Sequence, residues 1–264
     1  MIVRGAEIDV ERIGTGLDLV WGHGLTQSRL LEDRRTLIDW TEVPARVVRY
    51  DARGHGVSES TTNLDGYRWD ELARDQLELA TGMDIHRYIA AGASMGAATA
   101  LHAAVLAPDR VRGLVLVIPP TGWETRAEQA GTYEVGAEVI ESRGIETLIA
   151  AGANVAPPDP FVGDLEYREQ RAAGLRSWDP DRLARAMRGA ARAQLPSRDD
   201  IESIACPTLV LAWTGDPVHP VSTADELGRL IPSADVHIAS SAAELSTWTQ
   251  LVADFVSARS SHPA

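Results

Sequence analysis

The chain contains no lysine, so all of its 25 basic residues are arginine, and against 38 acidic residues they leave a net charge of -13. No run of these arginines forms the cationic strip that a polyanion requires, which excludes nucleic acid and an anionic membrane surface as expected partners. A single cysteine, Cys206, excludes an internal disulfide. It precedes the apolar run Pro207-Thr208-Leu209-Val210-Leu211 and reads as a small core filler in a reducing compartment. No uninterrupted apolar stretch approaches the ~20 residues that span a bilayer. The opening Met1-Ile2-Val3-Arg4-Gly5-Ala6-Glu7 carries charge where a secretory signal needs an apolar core, so the expected location is cytoplasmic.

What the sequence does have is a large apolar fraction, 44% over 264 residues, arranged as short runs separated by amphipathic segments. Runs at 17–21, 47–50, 113–118, 208–213 and 235–239 show little polar alternation, as strands buried on both faces do. Two leading strands, at 2–4 and 7–13, are spaced as a hairpin. Helical patterning occupies 30–40, 69–83, 97–106, 224–230 and 245–258. The alternation predicts an α/β fold with a mostly parallel, doubly wound sheet. Between Pro120 and Pro207 the strand signal disappears and helical patterns at 134–142, 145–151, 166–175 and 181–193 take over. We therefore expect a core of residues 1–118 and 207–264, with residues 119–206 inserted as a helical cap. Pro157-Pro158-Asp159-Pro160 marks a turn within that cap, and 259–264 reads as a frayed tail.

Chemistry concentrates at Gly92-Ala93-Ser94-Met95-Gly96, between the apolar Tyr88-Ile89-Ala90-Ala91 and a helical stretch. A serine on a sharp strand-to-helix turn projects its hydroxyl away from the sheet, and glycines two residues to either side let the backbone pass closely. The second element, Gly22-His23-Gly24-Leu25-Thr26-Gln27, follows the strand at 17–21. Backbone N–H groups of Leu25 and Met95 are the candidate oxyanion hole for a bound carbonyl.

These motifs, with Asp51-Ala52-Arg53-Gly54-His55-Gly56-Val57-Ser58 and Gly215-Asp216-Pro217-Val218-His219-Pro220, resemble the α/β-hydrolase fold family, in particular its capped small esterases, enol-lactonases and carbon–carbon bond hydrolases. The resemblance implies Ser94 as nucleophile, Asp216 as triad acid, and the run 51–58 as a structural turn supporting the oxyanion loop. It implies no cofactor and no metal. It also implies a histidine after the last strand, where this chain instead has Ser240-Ser241-Ala242-Ala243-Glu244.

Of the seven histidines, His23 and His55 lie in the two turns, His86 and His237 lie in or beside strands, and His262 lies in the tail. His102 sits about 12 Å along the helix from Ser94. Only His219 shares a loop with Asp216 at the correct end of the sheet. Its proximity to the acid favours a plain helix-start role, yet it completes the candidate set Ser94, Asp216 and His219. Three mechanisms follow: His219 as a displaced base, Glu244 as a base with a carboxyl pKa raised by burial, or a base-deficient pocket that binds, isomerises or cyclises a carbonyl ligand without an acyl-enzyme. The expected partner is a small or medium apolar carbonyl compound, with Trp123 and Trp178 of the cap as candidate substrate contacts alongside Tyr133, Phe161, Tyr167 and Met187. Oligomeric state is not legible in the pattern.

Overall fold

Residues 1–260 are described by the computed structural model. The chain opens on a minimal hairpin, β1 (Ile2–Val3) and β2 (Ala6–Glu7), turned through Arg4 and Gly5, both at positive φ. Two consecutive positive φ values are what a two-residue hairpin turn of matching twist demands. The expected strand at 7–13 is thus divided. Ile8 is held by hydrogen bonds to Met1, and β3 (Val10–Gly14) begins beyond it.

Strands β4 (Leu17–Gly22), β5 (Ala45–Tyr50), β6 (Tyr88–Ala93), β7 (Val111–Val117), β8 (Thr208–Trp213) and β9 (Ala234–Ala239) join β3 in one seven-stranded sheet. Its order is β3-β5-β4-β6-β7-β8-β9, with β3 antiparallel to β5 and every other pair parallel. The apolar runs cover both faces, and two separate apolar clusters form. One contains Val20, Val48, Ala90, Leu114 and Val210; the other contains Leu19, Val47, Ile89, Val115 and Leu209. Neighbouring residues of each strand divide between the clusters, as the period of two requires.

Helix α1 (Arg29–Glu32) is a single turn capped by Ser28, not the helix expected over 30–40. Past it, Asp39 Oδ1 accepts from both the amide and the hydroxyl of Thr41, a local turn that competes with helix. Ile38 and Trp40 are buried in the second cluster, and Trp40 packs edge-on against Trp21 at 4.9 Å. Their alternate spacing fits an irregular segment folded over the sheet.

Glu32 accepts a 2.8 Å hydrogen bond from Trp21 Nε1, and burial pushes its carboxyl up to about 7, opposed by that hydrogen bond and by Arg49. A carboxyl raised above its unfolded value stays protonated in the fold while the unfolded chain is ionised, so stability falls as pH rises between the two values. Glu32→Gln keeps an acceptor for Trp21 and is expected to raise stability above pH 7 by on the order of 2 kcal/mol, with no gain below pH 4. Thermal melts across that range check it.

Helices α2 (Trp69–Gly82) and α3 (Met95–Leu106) pack on the first cluster. Between β7 and β8 the chain is helical throughout its regular structure: α4 (Arg126–Arg143), α5 (Ile145–Gly152), α6 (Leu165–Arg176), α7 (Pro180–Ala191) and α8 (Arg198–Glu202). The proline-rich segment after α5 forms a short 3-10 turn, Asp159–Phe161. Returning to the sheet, α9 (Val221–Leu230) lies between β8 and β9. The pattern expected as one helix over 245–258 is two, α10 (Ala242–Leu245) and α11 (Trp248–Ser260). Arg259 and Ser260, expected in a frayed tail, complete α11, and 261–264 lie outside the described residues.

Candidate active site

The carboxyl ends of β4, β6 and β8 gather the candidate residues, where ligands of open parallel sheets collect. Ser94 sits at φ 52 and ψ -109 between β6 and α3, a strained conformation for a residue with a side chain. The strain is imposed by close packing beneath it. A Cβ at Gly96 would stand 1.9 Å from Gly22 O, and one at Gly92 would stand 2.3 Å from Gly96 C. The two glycines therefore let β6, the first turn of α3 and the end of β4 interlock, and Ser94 is what the turn lifts out.

The turn after β4 leans on Ser94, since a Cβ at Gly24 would lie 3.7 Å from Ser94 Cβ. It is fastened at several points. Gly24 O accepts from Gln27 N–H at 3.0 Å and from His23 Nδ1–H at 2.8 Å. His23 Nε2 in turn accepts from Ala52 N–H at 3.0 Å, which fixes the proton on Nδ1. Burial pushes His23 down to about 4 and His55 down to about 3, so both rings are neutral near pH 7. His55 lies between two carbonyls, Leu25 O at 3.0 Å from Nε2 and Arg53 O at 2.9 Å from Nδ1. Trp178 Nε1 donates to Thr26 O at 3.2 Å, and its ring meets His55 edge-on at 5.1 Å. Because a trans peptide points its N–H opposite its C=O, pinning Gly24 O also sets the direction of the Leu25 N–H. Met95 opens α3, so its N–H has no intrahelical carbonyl and stands at the positive end of the helix.

The loop after β8 brings acid and histidine onto one another. Asp216 to His219 closes as a turn through His219 N–H to Asp216 O at 3.3 Å, with Pro217 at its second position and Pro220 ahead of α9. The turn folds the histidine back toward the aspartate. His219 Nδ1–H donates to Asp216 Oδ2 at 2.7 Å, and His219 Nε2 lies 2.8 Å from Ser94 Oγ. His219 does stand just ahead of α9, as proximity to the acid favoured, but its ring turns toward Asp216 and Ser94, and the closeness in sequence produces the contact. The three side chains are buried or nearly so, with Ser94 at 8% exposure. Burial disfavours the Asp216 carboxylate, but His219, the Trp213 indole N–H at 2.9 Å from Oδ2, and the Val218 amide at 2.9 Å from Oδ1 outweigh it. Together they hold the carboxyl well below the usual range.

Glu244, the other candidate base, is engaged elsewhere. Its Oε2 accepts from Ser240 N–H at 2.7 Å, Ser240 Oγ–H at 2.8 Å and Ser241 Oγ–H at 3.1 Å, while Ser241 Oγ accepts from Glu244 N–H at 3.3 Å. Ser241 thus caps the start of α10, and the Glu244 carboxylate is taken up by the two serines ahead of it. These hydrogen bonds lower the exposed carboxyl, the reverse of the raised value a base would need.

The remaining histidines have other partners: His102 with Gln194 O at 2.8 Å, His237 with Asp235 at 3.1 Å and His86 with Asp84 at 3.4 Å. His262 lies outside the described residues. Of the two tryptophans expected to contact substrate, Trp178 reaches the turn beside Ser94, whereas the interactions of Trp123 run to Pro196 O at 3.2 Å and beneath Arg198 at 4.7 Å, both within 119–206. Trp213 and the 3-10 turn residues Asp159 and Phe161 carry contacts to the acid loop and the strand end before it. In the sequence reading Phe161 stands as apolar bulk, Asp159 only as part of a proline-rich turn and Trp213 only as the end of a strand. Trp213 gave a faint signal as a large donor at a strand end three residues before the acid. Among the described residues no group of three His, Cys, Asp or Glu is arranged to hold a metal ion, and no helix is long and apolar enough to cross a membrane.

Known proteins share this architecture. The esterase from Thermogutta terrifontis superposes with a TM-score of 0.76 at 24% identity, over 97% of this chain and 93% of its own. The enol-lactonase from Burkholderia xenovorans gives 0.74 at 22%, over 97% and 98%. At such identities the likeness concerns the fold. In sequence, 3-oxoadipate enol-lactonase 1 of Acinetobacter baylyi is 28% identical over 184 residues, 67% of this chain and 64% of that relative, so the match spans less than two thirds of the relative's length. The profile of the alpha/beta hydrolase family matches residues 17–254. With nearly the whole sheet, the elbow and the acid loop inside that match, the chain belongs to the alpha/beta hydrolase family.

Proposed function

We propose that the protein is a serine hydrolase of a small or medium apolar ester or lactone. The observation that carries this reading is His219, whose two ring nitrogens contact Ser94 Oγ and Asp216 Oδ2 at 2.8 and 2.7 Å. A serine hydroxyl is a weak nucleophile until an adjacent base takes its proton. His219 Nε2 accepts that proton as Ser94 Oγ attacks the carbonyl carbon, and Asp216 keeps the other ring proton on Nδ1 and stabilises the imidazolium. The N–H groups of Leu25 and Met95 receive the developing oxyanion, each worth roughly 3 kcal/mol in the transition state. His219 returns its proton to the departing alkoxide, and water attacks the acyl-enzyme by the same route. Trp178 borders the turn that carries Leu25 and is the nearer candidate for the substrate's apolar part; Trp123 is the more remote one.

The ester and lactone class is supported by the names of the relatives, an enol-lactonase in sequence and an esterase and an enol-lactonase in fold. A base-deficient binding or isomerising protein is the second reading, suggested by the absence of a histidine at 240–244; the contacts of His219 with Ser94 and Asp216 favour the hydrolase. Rapid mixing with p-nitrophenyl butyrate is expected to release a burst of about one nitrophenolate per chain before steady turnover. Absence of turnover on this ester and on a panel of simple lactones contradicts the proposal.

A further inference from the structure

The carboxylate assigned to orient the base receives a donor that orientation of an imidazole does not require. Trp213 Nε1–H donates to Asp216 Oδ2 at 2.9 Å, the same oxygen that accepts His219 Nδ1–H at 2.7 Å, while Val218 N–H occupies Oδ1 at 2.9 Å. Trp213 ends β8 and is 5% exposed. Its ring is stacked on Trp248 of α11, with centroids 5.9 Å apart, and meets Phe161 edge-on at 5.3 Å and His219 edge-on at 6.2 Å.

Phe161 belongs to the cap turn, where it stacks on Tyr167 at 4.5 Å beneath the Arg35 guanidinium. The same turn grips the residues between Trp213 and the acid. Thr214 Oγ1–H donates to Asp159 Oδ2 at 2.6 Å, and Asp159 N–H donates to Thr214 O at 2.9 Å. Gly215 has φ +77, and a Cβ there would stand 2.4 Å from Asp159 Oδ1. Contact this close leaves the strand end, the acid loop and the cap turn no independent freedom. The titratable groups that act on Asp216 from packed elements are His219 in its own loop, Tyr133 of α4, whose phenol also faces Arg126, and Tyr167 of α6, which faces Arg35 and Arg171.

We infer that Trp213 is a positioning residue for the Asp216–His219 pair: its indole N–H fixes the carboxylate and withdraws charge from the oxygen that faces the imidazole, and the cap turn Asp159–Phe161 holds the indole in place. The inference rests on the triad reading proposed above. A carboxylate oxygen that shares its charge with a second donor holds an imidazolium less tightly. With the indole N–H gone, Oδ2 serves His219 alone, and the base keeps its catalytic proton to higher pH.

Trp213→Phe preserves an aromatic ring and removes the donor. The test is kcat and KM for p-nitrophenyl butyrate between about pH 5 and 9, with Ser94→Ala as the blank. One hydrogen bond of ordinary strength predicts that the acid limb of kcat/KM moves up by about 0.5–1 pH unit. The plateau kcat falls about three- to tenfold, and KM stays within about twofold. An acid limb that does not move overturns the inference, whether or not kcat falls, since loss of packing alone leaves the limb in place. Should Trp213→Phe fail to fold, Asp159 carries the test. Asp159→Ala is expected to lower kcat about threefold with KM unchanged, and Asp159→Asn, which keeps an acceptor for Thr214, restores it. Equal kcat in the three proteins then overturns it. Wild-type activity that survives in Ser94→Ala instead overturns the triad reading on which the inference stands.

Discussion

His219→Ala and Ser94→Ala are each expected to lower kcat by about a millionfold, and the double variant is expected to lose no more than either alone. The reason is that in the proposed mechanism the two side chains perform one step. Ser94 Oγ becomes a nucleophile as its proton passes to His219 Nε2, 2.8 Å away, and removing either partner removes the whole transfer. What survives is binding and whatever stabilisation the Leu25 and Met95 amides give, since neither substitution touches them. Glu244→Gln is the control, because Glu244 is occupied in capping α10 through Ser240 and Ser241; its kcat should match that of the wild type. Steady-state kinetics of the four variants decide whether the base resides at 219 or 244.

Asp216→Asn is expected to cost about ten-thousandfold in kcat with KM little changed. The amide has nearly the shape of the carboxylate, and its oxygen still accepts from Val218 N–H at the Oδ1 position, while its NH2 group takes the place of the oxygen that met Trp213 Nε1–H and His219 Nδ1–H. The loss arises at His219. The carboxylate demands the proton on Nδ1 and leaves Nε2 free to accept from Ser94, whereas an amide N–H pointed at Nδ1 favours the opposite tautomer. A stability signature accompanies the kinetic one. The folded carboxyl titrates below its unfolded value, so its contribution to stability is present above about pH 4 and is lost as pH falls toward the lowered value. The difference in melting temperature between wild type and Asp216→Asn should therefore shrink as the solution is acidified.

Much of this candidate site is legible in the sequence. The elbow could be read because its requirements are steric: Gly92 and Gly96 are where Cβ atoms would collide with Gly96 and Gly22, and small residues at fixed spacing survive as pattern. Asp216 comes from the resemblance of Gly215-Asp216-Pro217-Val218-His219-Pro220 to the family's acid loop. His219 was harder, since whether a residue three positions on points toward or away depends on a turn that closes through one 3.3 Å hydrogen bond. Pro217, which favours such a turn, was the available signal. Glu244 shows the converse. Its position matched where a base would stand, but Ser241-Ala242-Ala243-Glu244 is also the pattern of a helix cap, and the cap is what forms.

The helix expected over 30–40 failed for a similar reason, because apolar spacing alone does not register the competing turn at Asp39 and Thr41 or the burial of Ile38 and Trp40 against the sheet. The contacts through Trp213, Phe161 and Asp159 lay beyond pattern altogether. The Trp213–Phe161 and Thr214–Asp159 contacts join residues more than fifty positions apart in chain, and only the return of the segment between β7 and β8 onto the end of β8 brings them together.

Covalent labelling with a fluorophosphonate, read by intact mass, tests the central claim most directly, because the probe reports nucleophilicity of the serine without needing the natural substrate. The wild type and Glu244→Gln are predicted to gain one adduct at equal rates, Ser94→Ala none, and His219→Ala none on the same timescale. Labelling of His219→Ala at the wild-type rate would contradict the assignment of His219 as the base that activates Ser94.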